Sequence, residues 1–240
     1  MTDETERALH ELKLPGMANC WTAMSETHQL DKLSLRDGMQ LMVQTERDTR
    51  RDNGIARLIK SAHFRLKASI EELEMDTARG VSSATTADLG TGQFIKNGMT
   101  VIITGPAGTG KTYLASALGD RACRLGFKVM YFTMNTLAMN LNMFRLENRL
   151  KNFFHKLYNQ DLIIIDDWGM NKLQGEIQND IEQLIDDRYN LKSLILCSQL
   201  PVSDWYSVFQ SELIAEACLD RVVHKSIRFS LVGDSMRKKY

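Results

Sequence analysis

The chain reads as an α/β protein of three layers. A central parallel five-stranded sheet occupies residues 94–240, a linker covers 76–93, and a small all-helical region fills 1–75. Three observations lead there. Apolar, β-branched runs of strand length recur between stretches of helical periodicity, as in sheets covered on both faces. One run, Thr100-Val101-Ile102-Ile103-Thr104, leads into a glycine-rich loop and then into Tyr113-Leu114-Ala115-Ser116-Ala117-Leu118, the opening turns of a helix. Another, Leu162-Ile163-Ile164-Ile165, ends in two adjacent carboxylates, Asp166 and Asp167.

In the helical region, Pro15-Gly16 punctuates the start and Ser34 can cap a helix through Leu41, Met42 and Thr45 towards Arg51. Asn53-Gly54 is expected to break it. Ile55, Leu58, Ile59 and Ala62 then form an amphipathic stripe, and Ser69-x-x-Glu72 fits a capping box for one more short helix. Arg47, Arg50, Arg51, Arg57, Lys60, Arg65 and Lys67 outnumber Glu46, Asp48 and Asp52, which suits either a solvated face or a docking or DNA-facing one. Residues 76–93 are small and polar. A segment entering the core there lies near a nucleotide base, which makes Arg79, Gly80 and Phe94 adenine-pocket candidates.

The loop Gly105-Pro106-Ala107-Gly108-Thr109-Gly110-Lys111-Thr112 fits Gly-x-x-x-x-Gly-Lys-[Ser/Thr], the phosphate cradle. Its glycines let backbone N–H groups approach phosphate oxygens, and the helix opening at Lys111-Thr112-Tyr113 adds partial positive charge. Lys111 should reach the β/γ-phosphates and the Thr112 hydroxyl should ligate Mg²⁺. Lys128–Thr133 reads as the second strand. Thr136–Tyr158 reads as a long helical zone with Leu150, Phe153, Phe154, Leu157 and Tyr158 as its core stripe. Its other face carries Arg145, Arg149, Lys151 and Lys156 against Glu147 alone.

Ligands of open parallel sheets sit at the carboxyl ends of strands. Asp166 can therefore face the Mg²⁺, and Asp167 can orient or deprotonate the attacking water. Asp167 is one methylene shorter than the glutamate commoner in such ATPases. Ile177, Ile181, Leu184 and Ile185 mark the next helix. Leu194–Ser198 is a fourth strand, with Ser198 and Gln199 at its carboxyl end placed to sense a γ-phosphate. Ile227, Phe229 and Leu231 alternate in a fifth strand, flanked by Arg221 and Arg237.

Composition sets the outer bounds. The 240 residues suffice for one sizeable α/β domain plus an appendage. Net charge is zero, so nucleic-acid binding needs local patches. Cys20, Cys123, Cys197 and Cys218 are far apart, which favours single buried thiols in a reducing cytosol over a zinc site, and the five histidines lack ligand spacing. The acidic opening is no secretory signal and no apolar run approaches the ~20 residues of a membrane span. The expectation is a cytoplasmic protein without a membrane partner.

Together these motifs resemble a P-loop NTPase of the AAA+ class, in the DnaC/IstB branch. The resemblance rests on the phosphate loop, Asp166-Asp167-Trp168-Gly169, Ser198-Gln199-Leu200-Pro201-Val202-x-x-Trp205, Asp220-Arg221-Val222-Val223-His224 and Gly233-Asp234-Ser235-Met236-Arg237. Leu12-Lys13-Leu14-Pro15-Gly16-Met17-Ala18 and Leu89-Gly90-Thr91-Gly92 are similar to the IstB family in particular. The likeness covers about residues 10–238. It implies ATP and Mg²⁺ as cofactors and ATP hydrolysis that depends on assembly. It implies Gln199 or Ser198 as first sensor, Arg221 as the arginine finger of a neighbouring subunit, and Arg237 as second sensor in its own. The helical zone corresponds to an element that initiator-type relatives use against DNA, which makes Arg145, Arg149, Lys151 and Lys156 candidate DNA contacts. The implied function is a homo-oligomeric ATPase that binds duplex DNA, remodels target DNA and stimulates the transposase of its insertion sequence. A replicative helicase loader shares the chemistry and differs in partner. A P-loop kinase would need an acceptor motif that is not seen, and an inactive scaffold is suggested only by Asp167. Trp168 stands where a smaller or phenylalanine-like residue is usual, and packing explains it.

Overall fold

The computed structural model describes residues 4–30 and 32–236. The chain divides into two compact units, Met1–Arg57 and Leu58–Tyr240. The first contains α1 (Glu4–Glu11), α2 (Pro15–Glu26) and most of α3 (Leu35–Ala62). Gly16 lets α2 and α3 touch: a Cβ there would lie 2.6 Å from the Glu46 Cα. The buried Glu46 carboxylate accepts the N–H of Gly16 at 2.7 Å and of Met17 at 3.2 Å, at the N-terminus of α2, where a negative charge is favoured. Cys20, Met24 and Met42 form the small core.

Ser34 caps α3 as expected, accepting the Asp37 N–H at 3.2 Å. Asn53-Gly54 does not break it, however, and the helix runs unbroken for 28 residues. A mid-helix glycine costs about 1 kcal/mol against alanine. Anchors on both sides of Asn53-Gly54 outweigh that: Glu46 before it, and Leu58, Ile59 and Ala62, packed into the larger unit's core, after it.

The second unit is a five-stranded parallel sheet in the order β2-β3-β4-β1-β5. The strands are β1 (Thr100–Thr104), β2 (Val129–Thr133), β3 (Leu162–Trp168), β4 (Ser193–Ser198) and β5 (Ser226–Ser230). Side chains alternate between two cores. Val101, Ile103, Leu162, Ile164 and Ile195 face α4 (Ser83–Gly90), α5 (Gln93–Lys96) and α6 (Lys111–Arg124). Ile102, Ile163, Ile165, Leu194 and Leu196 face α7 (Met134–Leu146), α8 (Leu150–Tyr158), α9 (Glu176–Arg188) and α10 (Glu212–Val223). All four cysteines are buried free thiols, and burial pushes Cys123 and Cys218 up to about 12.

Several boundaries differ from the sequence reading. The compact division falls at Arg57, not at residue 75. Residues 76–93 are not an open linker but carry a 3-10 turn at Thr77–Arg79 and α4, with Val81 and Leu89 buried. Their small polar residues act as caps: Asp76 accepts from the Ala78 N–H and Ser82 from the Thr85 N–H. No helix follows Ser69, whose hydroxyl donates to Glu71, while Glu72 accepts from Tyr113. The Thr136–Tyr158 zone is two helices, α7 and α8, turned at Asn148 with φ 55°. Tyr158 is half exposed, outside the core stripe. Among the described residues, no helix is long and apolar enough to cross a membrane.

Arg188, 1% exposed, fastens the amino ends of the strands. Its guanidinium donates to the carbonyls of Leu157, Gln160, Asp161 and Ser193 at 2.8–3.2 Å, joining α8, the approach to β3, and β4. Burial pushes its pKa down to about 10. Arg188→Met should strand buried carbonyls and cost about 3 kcal/mol or more, read as a lower urea midpoint. Unchanged stability would mean that the four bonds contribute nothing net. In the first unit, the hydrogen bond from Arg50, with the α2 N–H groups, holds the Glu46 carboxyl below its ordinary 4.5. A lowered folded pKa gives stability above the unfolded value and loses it as pH falls. Hydrogen exchange of the α2 amides should therefore quicken as pH falls below 4.5, beyond the intrinsic pH trend. Glu46→Gln should remove that dependence.

Candidate active site

In the sheet order, β4 lies between β1 and β3, so the loop after β1 and the carboxylates ending β3 open onto one crevice at the carboxyl ends of the strands. Gly110 caps α6 at φ 99°, the left-handed region that favours glycine, and its missing Cβ would meet no atom within 4 Å. Gly108, at φ 83°, has a second reason as well: a Cβ there would strike the Ser235 side chain. Met236 N–H donates to the Gly108 carbonyl at 2.9 Å, so the segment after β5 braces the loop. Lys111 Nζ donates to the carbonyls of Gly105 and Pro106 at 2.6 and 2.7 Å, and Thr109 Oγ1 donates to that of Pro106 at 2.9 Å. Ala107 is exposed at the loop tip.

Asp166 is 1% exposed and fully engaged. Its Oδ2 accepts from Thr112 Oγ1 at 2.7 Å and from the Tyr131 hydroxyl at 2.8 Å, and its Oδ1 accepts the Asp167 N–H at 2.8 Å. Tyr131 was not singled out from sequence; the one signal was a phenol inside the otherwise apolar second strand. Burial first, then the Asp166 charge, push its pKa far above the ordinary 10, which keeps it a donor.

β3 carries one residue more than β4 at this point. Ile165 pairs with Leu196, and the next pairing is Trp168 with Ser198. The bulge turns Trp168 back towards the core side that Ile165 faces, where it packs against Trp205 and Phe209 at 5.6 and 6.2 Å between ring centroids. The cost falls on Asp167, held at φ 58°. A non-glycine residue in that region is uncommon, and such strain clusters at functional sites. Its carboxylate stands partly exposed at the crevice, 3.4 Å from Arg65 Nη1.

Other expected residues divide. Ser198 is buried, donating to the Trp168 carbonyl at 2.7 Å and accepting the Leu200 N–H at 3.0 Å, so its hydroxyl shapes the turn. Gln199 beside it is exposed, its amide 3.7 Å from Met170 Sδ. Phe94 is core, not pocket. Arg79 donates to the Asp234 carbonyl at 3.0 Å, and Gly80 lies against the Ser230 carbonyl, so both position the bracing segment. Arg237 lies outside the described residues.

Arg221 lies near the end of α10, bordering Gly98 and Thr100 at the amino end of β1, and pairs with Asp186 at 3.0 Å. The phosphate loop follows the other end of that five-residue strand, about 16 Å away at 3.3 Å per residue. Arg145 is committed to the buried Asp180 carboxylate. Arg149, Lys151 and Lys156 are exposed on or beside α8, with Arg149 over the Phe144 ring at 5.8 Å.

Main-chain N–H groups at a helix start, an ammonium, a hydroxyl and a carboxylate are thus brought together around the start of α6. That donor set fits a nucleoside triphosphate with a divalent cation. Lys111 and the loop would hold the phosphates, and Thr112 and Asp166 the cation, which would draw negative charge from the terminal phosphate.

Comparison with known proteins agrees. The DnaC helicase loader superposes with a TM-score of 0.57 at 19% identity, covering 73% of this chain and 99% of that one. AMPPCP-bound DnaA from Aquifex aeolicus gives 0.59 at 19%, covering 74% and 54%. The fold is that of the P-loop AAA+ ATPases. In sequence, the chain is 33% identical to the insertion sequence ATP-binding protein y4pL of Sinorhizobium fredii, over 96% of this chain and 94% of that protein. Residues 7–240 match the family described as IstB-like ATP binding protein. The chain therefore belongs to the IstB-like ATP-binding proteins.

Proposed function

We propose that this protein is a DNA-binding ATPase of insertion-sequence transposition, in which ATP drives copies to assemble on duplex DNA, remodel the target and stimulate a transposase. The observation that carries the reading is the 2.7 Å bond from Thr112 Oγ1 to buried Asp166, made beside the phosphate loop. It supports a Mg²⁺-ATP site on each copy. Lys111 binds the β/γ-phosphates, Asp167 orients the attacking water and Gln199 faces the terminal phosphate. Arg221 cannot serve its own site from the far end of β1, which favours its reaching a neighbour's. There an arginine finger is worth about 10³–10⁵ in rate, so turnover follows assembly. Arg149, Lys151 and Lys156 offer phosphate contacts to DNA. A helicase-loader role shares this chemistry, but the near full-length likeness to an insertion-sequence protein favours the transposase as partner.

Duplex DNA should be retained with a non-hydrolysable ATP analogue and released without it. Lys111→Ala should weaken nucleotide binding about 10-fold or more, the worth of its charge-assisted bonds, and abolish that retention. If Lys111→Ala leaves DNA retention and its nucleotide dependence as they were, the reading fails. The log–log salt slope should reach about −3 per copy if all three cations touch phosphates. Phosphate release should vanish in Asp166→Asn; its persistence would remove Asp166 from the chemistry.

A further inference from the structure

We infer that Arg65 is a positioning residue that restrains Asp167, withholding its carboxylate from water until the guanidinium is displaced; this rests on the ATP-hydrolysing reading above. Arg65 belongs to no sequence motif and lies outside the sheet domain as read from sequence. In the structure, α3 ends at the fully buried Ala62, His63 turns the chain at φ 57°, and Phe64 docks. The Phe64 ring meets Tyr131 edge-on, 6.5 Å between centroids, and lies in the notch over α6 that Gly119 leaves open, where a Cβ would be 2.5 Å from Phe64 Cε1. Tyr131 is the phenol that donates to Asp166. One residue on, Arg65 Nη1 donates to Asp167 Oδ2 at 3.4 Å. The exit of α3 is thus fastened to both carboxylates of β3, to one through Phe64 and Tyr131, to the other directly.

The chemistry gives the restraint its sign. A guanidinium on Oδ2 takes up a lone pair and offsets the charge with which a carboxylate would accept a water proton. The pair is weak, because the Arg65 and Asp167 side chains are 54% and 33% exposed and water competes for both. A buried strut would not release; this contact can. Movement of the chain just after α3 can therefore draw Arg65 away from the Asp167 carboxylate.

The test uses the full chain, with steady-state phosphate release with and without duplex DNA and the Kd of a fluorescent ATP analogue. Arg65→Ala should raise kcat about two- to fivefold, the range a weak half-exposed pair can hold back, with Kd unchanged. Arg65→Lys should restore the wild-type rate, and in an Asp167→Ala background Arg65→Ala should change nothing. Arg65→Gln should give the same rise and serves if the alanine variant does not fold. A fall in kcat, no change, or an effect confined to Kd overturns the inference and leaves the ATPase reading standing. A wild-type chain that releases no phosphate, alone or with DNA, overturns both.

Discussion

A single buried carboxylate organises the nucleotide end of this molecule. Asp166 is removed from water, and a bare charge there would be costly. Three donors offset that cost, each from a different segment: Thr112 from the first turn of α6, Tyr131 from β2, and the Asp167 main chain from the bulge. The same bonds fix the helix that carries Lys111 relative to the strand that carries Asp167. Local strain follows from this arrangement. One extra residue in β3 turns Trp168 into the core and leaves Asp167 in a left-handed conformation at the crevice.

The sheet also separates what the chemistry would join. Loop, carboxylates and Gln199 lie at the carboxyl ends of the strands, whereas Arg221 lies at the amino end, paired with Asp186. A single copy holds the parts for nucleotide binding at one pole and a half-buried arginine at the other. On the proposed reading, assembly is the means by which the two poles meet, and hydrolysis waits on neighbours. On the same reading, Arg65 adds a restraint inside the copy itself through its pair with Asp167.

The sheet core was legible because its signals are strong and local. Apolar runs and one alternating stretch placed all five strands to within a residue or two, and the loop motif placed α6. The errors have physical causes. Asn53-Gly54 reads as a break, but packing on both sides of it outweighs one glycine. Residues 76–93 read as a linker because caps and loops draw on the same small polar residues, and here Asp76 and Ser82 are caps. At Ser198 the strand end was legible, but not the bonds of its hydroxyl to Trp168 and Leu200. Tyr131 was missed, and Arg65 was named only within a basic run, since neither belongs to a motif; a residue brought to the site by tertiary packing leaves no mark of its role in its own neighbourhood.

The central claim is that one copy's pocket is finished by the arginine of another. The most direct measurement mixes two inactive variants, Arg221→Ala and Asp166→Asn, on duplex DNA and follows phosphate release. Each alone should be nearly idle: the first lacks the finger, the second keeps the phosphate loop and the finger but lacks the carboxylate. Mixed at equal amounts they should recover a substantial fraction of wild-type turnover, because some sites then pair an intact pocket with an intact arginine. If each variant still assembles on DNA with wild-type chain but the mixture stays as idle as its components, or if Arg221→Ala alone turns over like wild type, the pocket is complete within one chain and the account is contradicted.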